Sequence, residues 1–286
     1  MPRMKHYRLG LDIGGTKMLA ILFTGHKIIE SFKVSTPTDN FDHFLTMIKA
    51  VLTPLLDKAQ ENNWEIVGLG IGLPGSIDND GRVEVCNNIP FLNGVKIGEK
   101  IQQFLNVSWP ISLDNDTNCF LKAESAMGAA KNFDNVYGLI VGTGIGGAWL
   151  KNKKIYHGAH GAANEISEML IDFSSGMKLE TAFQKLSQNN AHQLANEALL
   201  GDELAKANFQ EIGKMLGLAL TNVAHLFDPE IIVIGGGVTA ASELFLDTAR
   251  QYLIDNASHD NAKKIKVVLA KLGEETGAIG AALLVN

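Results

Sequence analysis

Asp12 and Asp116 both stand near the end of an apolar run, where a strand would hand its last side chain to a site. Asp12 lies in Leu9-Gly-Leu-Asp-Ile-Gly-Gly-Thr-Lys17, just ahead of two glycines. A carboxylate there can hold Mg²⁺ through water beside the β- and γ-phosphates of a nucleotide. It can equally cap the turn. Asp116 lies in Asp114-Asn-Asp-Thr-Asn118, between a short apolar run and a small-residue stretch that reads as a helix. One of these residues serves as the helix N-cap. The chemical reading makes Asp116 a general base that takes the proton of an attacking hydroxyl, with Asn115 positioning the acceptor. Both readings hold together, because a strand-to-helix turn sits at the mouth of an α/β site. A positioned base contributes about 10²–10⁴ in rate, and orientation and charge neutralisation supply most of the rest.

The glycines around these acids suggest what the site would bind. Gly14, Gly15 and Thr16 separate one apolar run from Lys17 and the next run, Met18 to Phe23. About 130 residues on, Gly142, Thr143, Gly144, Gly146 and Gly147 stand between Leu139-Ile-Val141 and Ala148-Trp-Leu150 in the same way. A glycine turn between strands brings bare backbone N–H groups up to an anion. Two such hairpins imply an internally duplicated chain gripping a phosphate chain from both sides, hence nucleotide-dependent phosphoryl transfer. Lys17 adds charge nearby, although no P-loop is present.

Other patterns give less. Gly142-x-Gly144-x-x-Gly147 matches the dinucleotide fingerprint in form, but a β-hairpin follows where that fingerprint needs a helix. Gly235, Gly236 and Gly237 have a strand before and a helix after, yet the next strand ends at Lys271 rather than at an acid that could hold a ribose. They fit better as the floor under an adenosine. His157 and His160 are metal-ligand types with no second cluster to support them.

The elements that must position these residues follow from periodicity. Strands are expected at 7–13, 17–23 and 28–34, then a helix over 42–62, where Phe44, Met47, Ile48, Val51, Leu52 and Leu55 recur at helical spacing. A strand at 66–73, a helix at 97–105, a strand at 111–113 and a helix at 116–128 complete the first half. The second repeats the order with strands near 137–141, 147–150 and 154–156. Helices at 178–206 and 208–227, a strand at 231–234, a helix at 240–256, a strand at 265–270 and a helix at 276–283 follow. The fold class is therefore α/β and duplicated. An N-terminal α/β domain over 1–115 precedes a larger C-terminal α/β domain over 116–272, and the last helix, about 273–286, packs back on the first. Hydrophobic residues make up 46% of the 286 and charged residues 20%, with a formal charge of −6 and no long basic run. This is ordinary soluble composition and argues against nucleic acid as a partner. With two distant cysteines, no apolar run long enough to span a bilayer and no room for a leader ahead of the first strand, a cytoplasmic protein is expected.

In order along the whole chain, the motifs resemble the ROK family of repressors and sugar kinases. They are Leu11-Asp-Ile-Gly-Gly-Thr-Lys17, Gly72-Leu-Pro-Gly-Ser-Ile-Asp78, Asn88-Ile-Pro90, Asn115-Asp116-x-Asn118, Gly142-Thr-Gly-Ile-Gly-Gly147, Glu165, Leu179-Glu180 and Asp228-Pro-x4-Gly235-Gly-Gly. The resemblance implies the actin-like ATPase (ribonuclease H-like) fold of hexokinases, two phosphate loops around ATP–Mg²⁺, and a sugar in an interdomain cleft. It implies Asp116 as the base, with Asn115, Glu165 and Glu180 on the sugar hydroxyls. Gly75 lines the sugar pocket, and Asn88 belongs with the substrate residues. Many members carry Glu-x-Gly-His and a cysteine-rich loop that bind a structural zinc. Here the segment is Glu165-Ile-Ser-Glu168 and the loop from Asp172 to Glu180 has no cysteine. A zinc-less variant is expected, because a structural site needs four ligands. Glu168 stands where a sugar-contacting histidine would, and could accept from a sugar hydroxyl or favour an amino sugar.

The resemblance implies an ATP-dependent kinase of the 6-hydroxyl of a hexose, with glucose the first expectation. N-acetylmannosamine or N-acetylglucosamine is the alternative, and a non-catalytic sugar-binding protein the third reading. A sugar-sensing repressor would carry a DNA-binding segment ahead of the first strand, for which few residues precede Tyr7. The resemblance also implies a homodimer.

Overall fold

The computed structural model describes residues 6–260 and 262–285; the expectation about a leader rests on residues 1–5 and lies outside them. The first half runs β1 (Tyr7–Ile13), β2 (Lys17–Thr24), β3 (Lys27–Ser35), α1 (Phe41–Glu61), β4 (Ile66–Leu73), β5 (Ser76–Ile77), β6 (Val83–Val85), α2 (Ile97–Leu105), β7 (Ile111–Asn115) and α3 (Asp116–Met127). Then come β8 (Asn135–Val141), β9 (Ile145–Lys151), β10 (Lys154–Ile155), β11 (Leu170–Asp172), β12 (Met177–Lys178), α4 (Leu179–Leu186), α5 (Ala191–Leu199) and α6 (Glu203–Phe227). The chain closes with β13 (Ile231–Gly235), α7 (Leu246–Asn256), β14 (Lys266–Leu269) and α8 (Thr276–Ala282). No helix among the described residues is long and apolar enough to cross a membrane.

Two five-stranded sheets carry the duplication. One has the order β3-β2-β1-β4-β7 and the other β10-β9-β8-β13-β14. In each, the first three strands form an antiparallel meander and the last two join in parallel. Parallel joins need crossovers, so helices are spent there, while the meanders close with short turns.

The chain forms two compact units. The first takes residues up to Gly128, His157–Ala163 and the chain from Leu272 onward. The inner strands of its sheet are buried on both faces. On β2, Met18, Ala20 and Leu22 face a core shared with Phe44, Ile48, Val51, Leu52 and Leu55 of α1. The alternate residues Leu19, Ile21 and Phe23 pack with Ala123, Ala278, Ile279 and Ala282 of α3 and α8. Of the glycines that alternate along β4, Gly72 faces Cys119 of α3, Gly68 faces Val285 and Pro110, and Gly70 faces α8. Gly10 and Gly70 are paired across β1 and β4, and a Cβ on either would collide with the backbone of α8, at Ala278 and Ala281. A small-residue helix thus lies almost directly on the strands. On its other side a Cβ at Gly280 would run into the carbonyl of Cys119 in α3. That contact keeps α3 with the first unit, whose first stretch runs to Gly128, whereas the expected division places α3 beyond residue 115.

The second unit comprises Ala129–Tyr156 and Asn164–Lys271. Its core lies between the second sheet and α4 to α7, with Tyr137, Leu139, Val141, Phe183, Phe209, Leu216, Leu220, Ile232, Ile234 and Phe245 all essentially inaccessible. Two expected helices differ here. The stretch 178–206 breaks at Ser187-Gln-Asn-Asn190, where Gln188 and Asn189 adopt positive φ and Asn190 caps α5 by accepting from the Gln193 N–H. Asp202 then caps α6, accepting from Ala205 N–H. Short polar side chains that bond backbone N–H groups favour caps over helix interiors, so apolar spacing alone overran these breaks. The stretch after Gly237 opens as a 3₁₀ segment, Gly237–Leu244, kinked at Ala241 before α7 begins.

Candidate active site

In the first unit, the candidate residues gather at the C-terminal ends of β1, β4 and β7. The β1–β2 turn is tight: Gly14 N–H donates to the Lys17 carbonyl at 2.8 Å, and Thr36 Oγ donates to the Gly14 carbonyl at 2.8 Å. Gly15 lies against the Asn88 side chain, 3.2 Å from where its Cβ would stand. Thr16 and Lys17 are exposed, and the Lys17 ammonium pairs with Glu274, which also takes Lys33 at 3.0 Å. Asp12 closes β1 behind this turn, and Gly277 of α8 approaches so closely that a Cβ there would stand 2.5 Å from the Asp12 carboxyl. Burial pushes the Asp12 carboxyl up to about 7; the charge of Asp116 adds to this and Lys17 opposes it.

Asp116 opens α3 immediately after β7. Asn115 is the N-cap, and its side-chain oxygen accepts from Thr117 N–H at 2.8 Å. The same N–H bonds the Asp116 carboxylate at 2.8 Å, with Thr117 Oγ at 3.4 Å. Burial raises the Asp116 carboxyl above its ordinary range, and the bonds from Thr117 pull the other way. A carboxylate made more basic than usual yet held in place suits proton abstraction. Asn115 also donates its amide to the Gly75 carbonyl at 3.0 Å. Gly75 has φ +102°, and a Cβ there would collide with the carbonyl of Val85. Only glycine serves at this turn, and it fixes the loop that Asn115 grips.

In the second unit, Glu180 and the glycines of 142–147 and 235–237 surround the β8–β9 turn. Gly142 N–H donates to the Gly144 carbonyl at 2.9 Å, and a strand, not a helix, follows the glycines. Glu180, in the first turn of α4, accepts from Ile145 N–H at 2.9 Å and from Gln184 at 2.6 Å. Gln184 also donates to the Thr143 carbonyl at 2.6 Å. A Cβ on Gly144 would stand 2.9 Å from Glu180, so the carboxylate lies against the glycine turn. Gly235 ends β13 beside Ile140 of β8. Gly236, at φ +93°, sits so near Val141 that a Cβ would clash with its backbone. A Cβ on Gly237 would stand 2.5 Å from the His192 ring. Gly142–Gly147, Gly235–Gly237 and Glu180 are therefore one cluster. Glu165 is exposed, and its charge, after burial, helps push the Tyr137 hydroxyl upward. Glu168 is also exposed and pairs with Lys178. Among the described residues, no group of three or more His, Cys, Asp or Glu is arranged to hold a metal.

Four participants escaped the sequence. Gln184 was legible in principle, four residues after Glu180 on one helix face. Asp114 has no role of its own in the motif, and His157 reads in the sequence only as a metal-ligand type. Gly277 gives no local signal, since only α8 lying on β1 brings it to Asp12.

A glycine turn between the first two strands of each sheet, in a doubled β-sheet topology, defines the actin-like ATPase fold of the hexokinases. A match to the ROK family covers residues 8–286, and the chain belongs to that family. The N-acetylgalactosamine kinase AgaK of Shewanella sp. (strain ANA-3) is 30% identical, with 96% of this chain and 95% of the relative covered. The xylose repressor of Bacillus subtilis (strain 168) is 25% identical over 98% of this chain and 77% of its own length. The crystal structure of a ROK glucokinase from Streptomyces griseus, in complex with glucose and AMPPNP, superposes with a TM-score of 0.79 at 26% identity, covering 98% and 99% of the two chains.

Proposed function

We propose that this chain is an ATP-dependent sugar kinase acting on the 6-hydroxyl of a hexose, with Asp116 as general base. The observation that carries the reading is the state of Asp116: held by Thr117 at the start of α3, next to the amide of Asn115, and raised in basicity by burial. Asp116 takes the proton of the acceptor hydroxyl as its oxygen bonds to the γ-phosphorus. The bond from that phosphorus to the bridging oxygen breaks, and ADP leaves. Asn115, Asn88 and the loop at Gly75 orient the acceptor, with Glu165, Glu168 and Glu180 as further sugar ligands. The turns at Gly14–Lys17 and Gly142–Gly146, with Gly235–Gly237, take the nucleotide.

Asp12 fits a magnesium ion. It is an oxygen donor beside a second carboxylate, and its own charge is disfavoured until a cation compensates it. Mg²⁺ is commonly held by one or two carboxylates together with phosphates and water, and it would neutralise phosphate charge. In this reading the protein is cytoplasmic and a homodimer, as an ATP-consuming enzyme of this family.

The relation to an N-acetylgalactosamine kinase favours a second reading, in which the acceptor is an N-acetylhexosamine. Coupled ADP release separates the two. The panel would be glucose, mannose, fructose, glucosamine, and the N-acetyl derivatives of glucosamine, mannosamine and galactosamine. Turnover with one class that disappears in Asp116→Asn supports the kinase and names its substrate. No turnover from folded protein that binds ATP supports a non-catalytic sugar-binding role.

A further inference from the structure

The carboxylate of Asp114 is held by three partners, two from the β7–α3 turn and one from far along the chain. One oxygen accepts from Asn115 N–H at 2.8 Å and from the Asn118 side chain at 2.7 Å. The other meets His157 Nε2 at 2.9 Å. Asp114 is 10% exposed at its side chain and His157 48%, so the pair joins a nearly buried anion to a half-buried ring.

His157 begins a strap, His157–Ala163, that belongs to the first unit although the chain on either side of it belongs to the second. The strap closes on itself through Ala163 N–H and the His157 carbonyl at 3.2 Å. Gly161, at φ +81°, approaches the Ile77 carbonyl so closely that a Cβ would stand 2.8 Å from it. Asn79 reaches the Ala159 carbonyl at 3.4 Å. The strap therefore lies along the loop that follows Gly75, and its only charged tie to the β7–α3 turn in these bonds is His157.

We propose that His157 is a positioning residue: through Asp114 it fastens the strap to the β7–α3 turn and fixes the orientation of Asn115 and Asp116. The catalytic consequence rests on the kinase reading above; the fastening does not. The groups acting electrically on His157 are Asp114 from β7 and Lys122 from α3. The bond to Asp114 raises the ring's proton affinity, burial opposes it, the charge of Asp114 adds to the rise and Lys122 lowers it. The ion pair is thus complete below the ordinary histidine range and fades as pH rises through the raised value.

Two variants test this: His157→Ala and His157→Gln. Sugar-dependent turnover would be followed from about pH 6 to about pH 9, with melting temperature measured alongside. His157→Ala should lose about ten- to a hundredfold in kcat, as expected for a misplaced base, with the KM for ATP unchanged. His157→Gln keeps a donor that does not titrate. It should recover most of kcat and lack the alkaline decline of the wild type. A His157→Ala enzyme with wild-type kcat and sugar KM, or one altered only in melting temperature, overturns the proposal. If the wild type turns over no sugar at all, the kinase reading fails, and amide hydrogen exchange decides the fastening alone. Loss of protection at 76–79 and 115–118 as well as along the strap in His157→Ala upholds it. Loss confined to the strap, or none, overturns it.

Discussion

Asn115 joins two turns at once, accepting from Thr117 N–H at 2.8 Å and donating to the Gly75 carbonyl at 3.0 Å. It is both the cap that starts α3 and the tie that holds the loop after β4. Asn115→Ala removes both. Loss of the cap costs about 1 kcal/mol, visible as a lower urea midpoint. The loosened loop should raise the sugar KM by about tenfold or more, in line with a lost bond of about 1.5 kcal/mol, and leave the KM for ATP near wild type. Equal rises in both constants would instead mean that the whole β7–α3 turn has shifted.

Asp116→Asn keeps the shape and loses the basicity. The expected result is a fall in kcat of about 10²–10⁴, with ATP affinity by calorimetry unchanged. Retention of more than a tenth of wild-type kcat would remove Asp116 as the base.

The resemblance implies Glu180 as a sugar ligand, and its carboxylate is bonded to the Ile145 N–H and to Gln184. Ile145 is buried, so Glu180→Ala leaves an unpaired N–H beside the glycine turn, at a cost of about 1–3 kcal/mol. ATP affinity should weaken with it. Glu180→Gln keeps an acceptor and should be milder. If Glu180→Gln raises only the KM for ATP, the residue serves the turn alone; a parallel rise for sugar shows that it also reaches the acceptor.

The strand and turn signals were legible because they are local. The apolar run of β2, the glycines after Asp12 and a helix cap within Asp114–Asn118 each declare themselves within a few residues. Periodicity located α1 but ran through Ser187-Gln-Asn-Asn190, where side-chain bonds to backbone stop a helix without interrupting the apolar spacing. What stayed hidden was long-range. Nothing around Thr276-Gly277 says that this helix will lie on β1 and press a glycine against Asp12. Nothing around His157 says that its partner is 43 residues back. Such contacts follow from sheet order, and a strip of sequence does not display that order.

The contact of Gly70 with α8 makes a sharp stability test. A Cβ at Gly70 runs into the Ala281 carbonyl, which is backbone and cannot rotate away. Gly70→Ala should therefore destabilise by about 3 kcal/mol or more, as overpacking at its upper range does, or yield insoluble protein. Gly81 provides the control, with φ +75° but open space around its Cβ position. Gly81→Ala should cost only about 1 kcal/mol, the strain of a left-handed alanine. Similar urea midpoints for the two variants would mean that α8 does not lie on β4 as described.

Asp12 sets a pH dependence whose sign is opposite to that of most carboxylates. Its folded-state value, about 7, lies above the ordinary carboxylate range, so between about pH 4 and about pH 7 the native chain binds more protons here than the unfolded chain. Stability from this group therefore falls as pH rises through that window, by up to about 4 kcal/mol at roughly 1.4 kcal/mol per pH unit. Exposed acids such as Asp39 and Glu274 are shifted downward by hydrogen bonds from His43 and Lys17 and work in the opposite sense at lower pH. Comparison of the wild type with Asp12→Asn cancels them. Urea unfolding of both, without nucleotide or metal, should show the variant gaining on the wild type from about pH 4 to about pH 7. A constant difference across that range would mean that the Asp12 carboxyl titrates normally, and that the cost of burying it beside Asp116 is already relieved within the apoprotein.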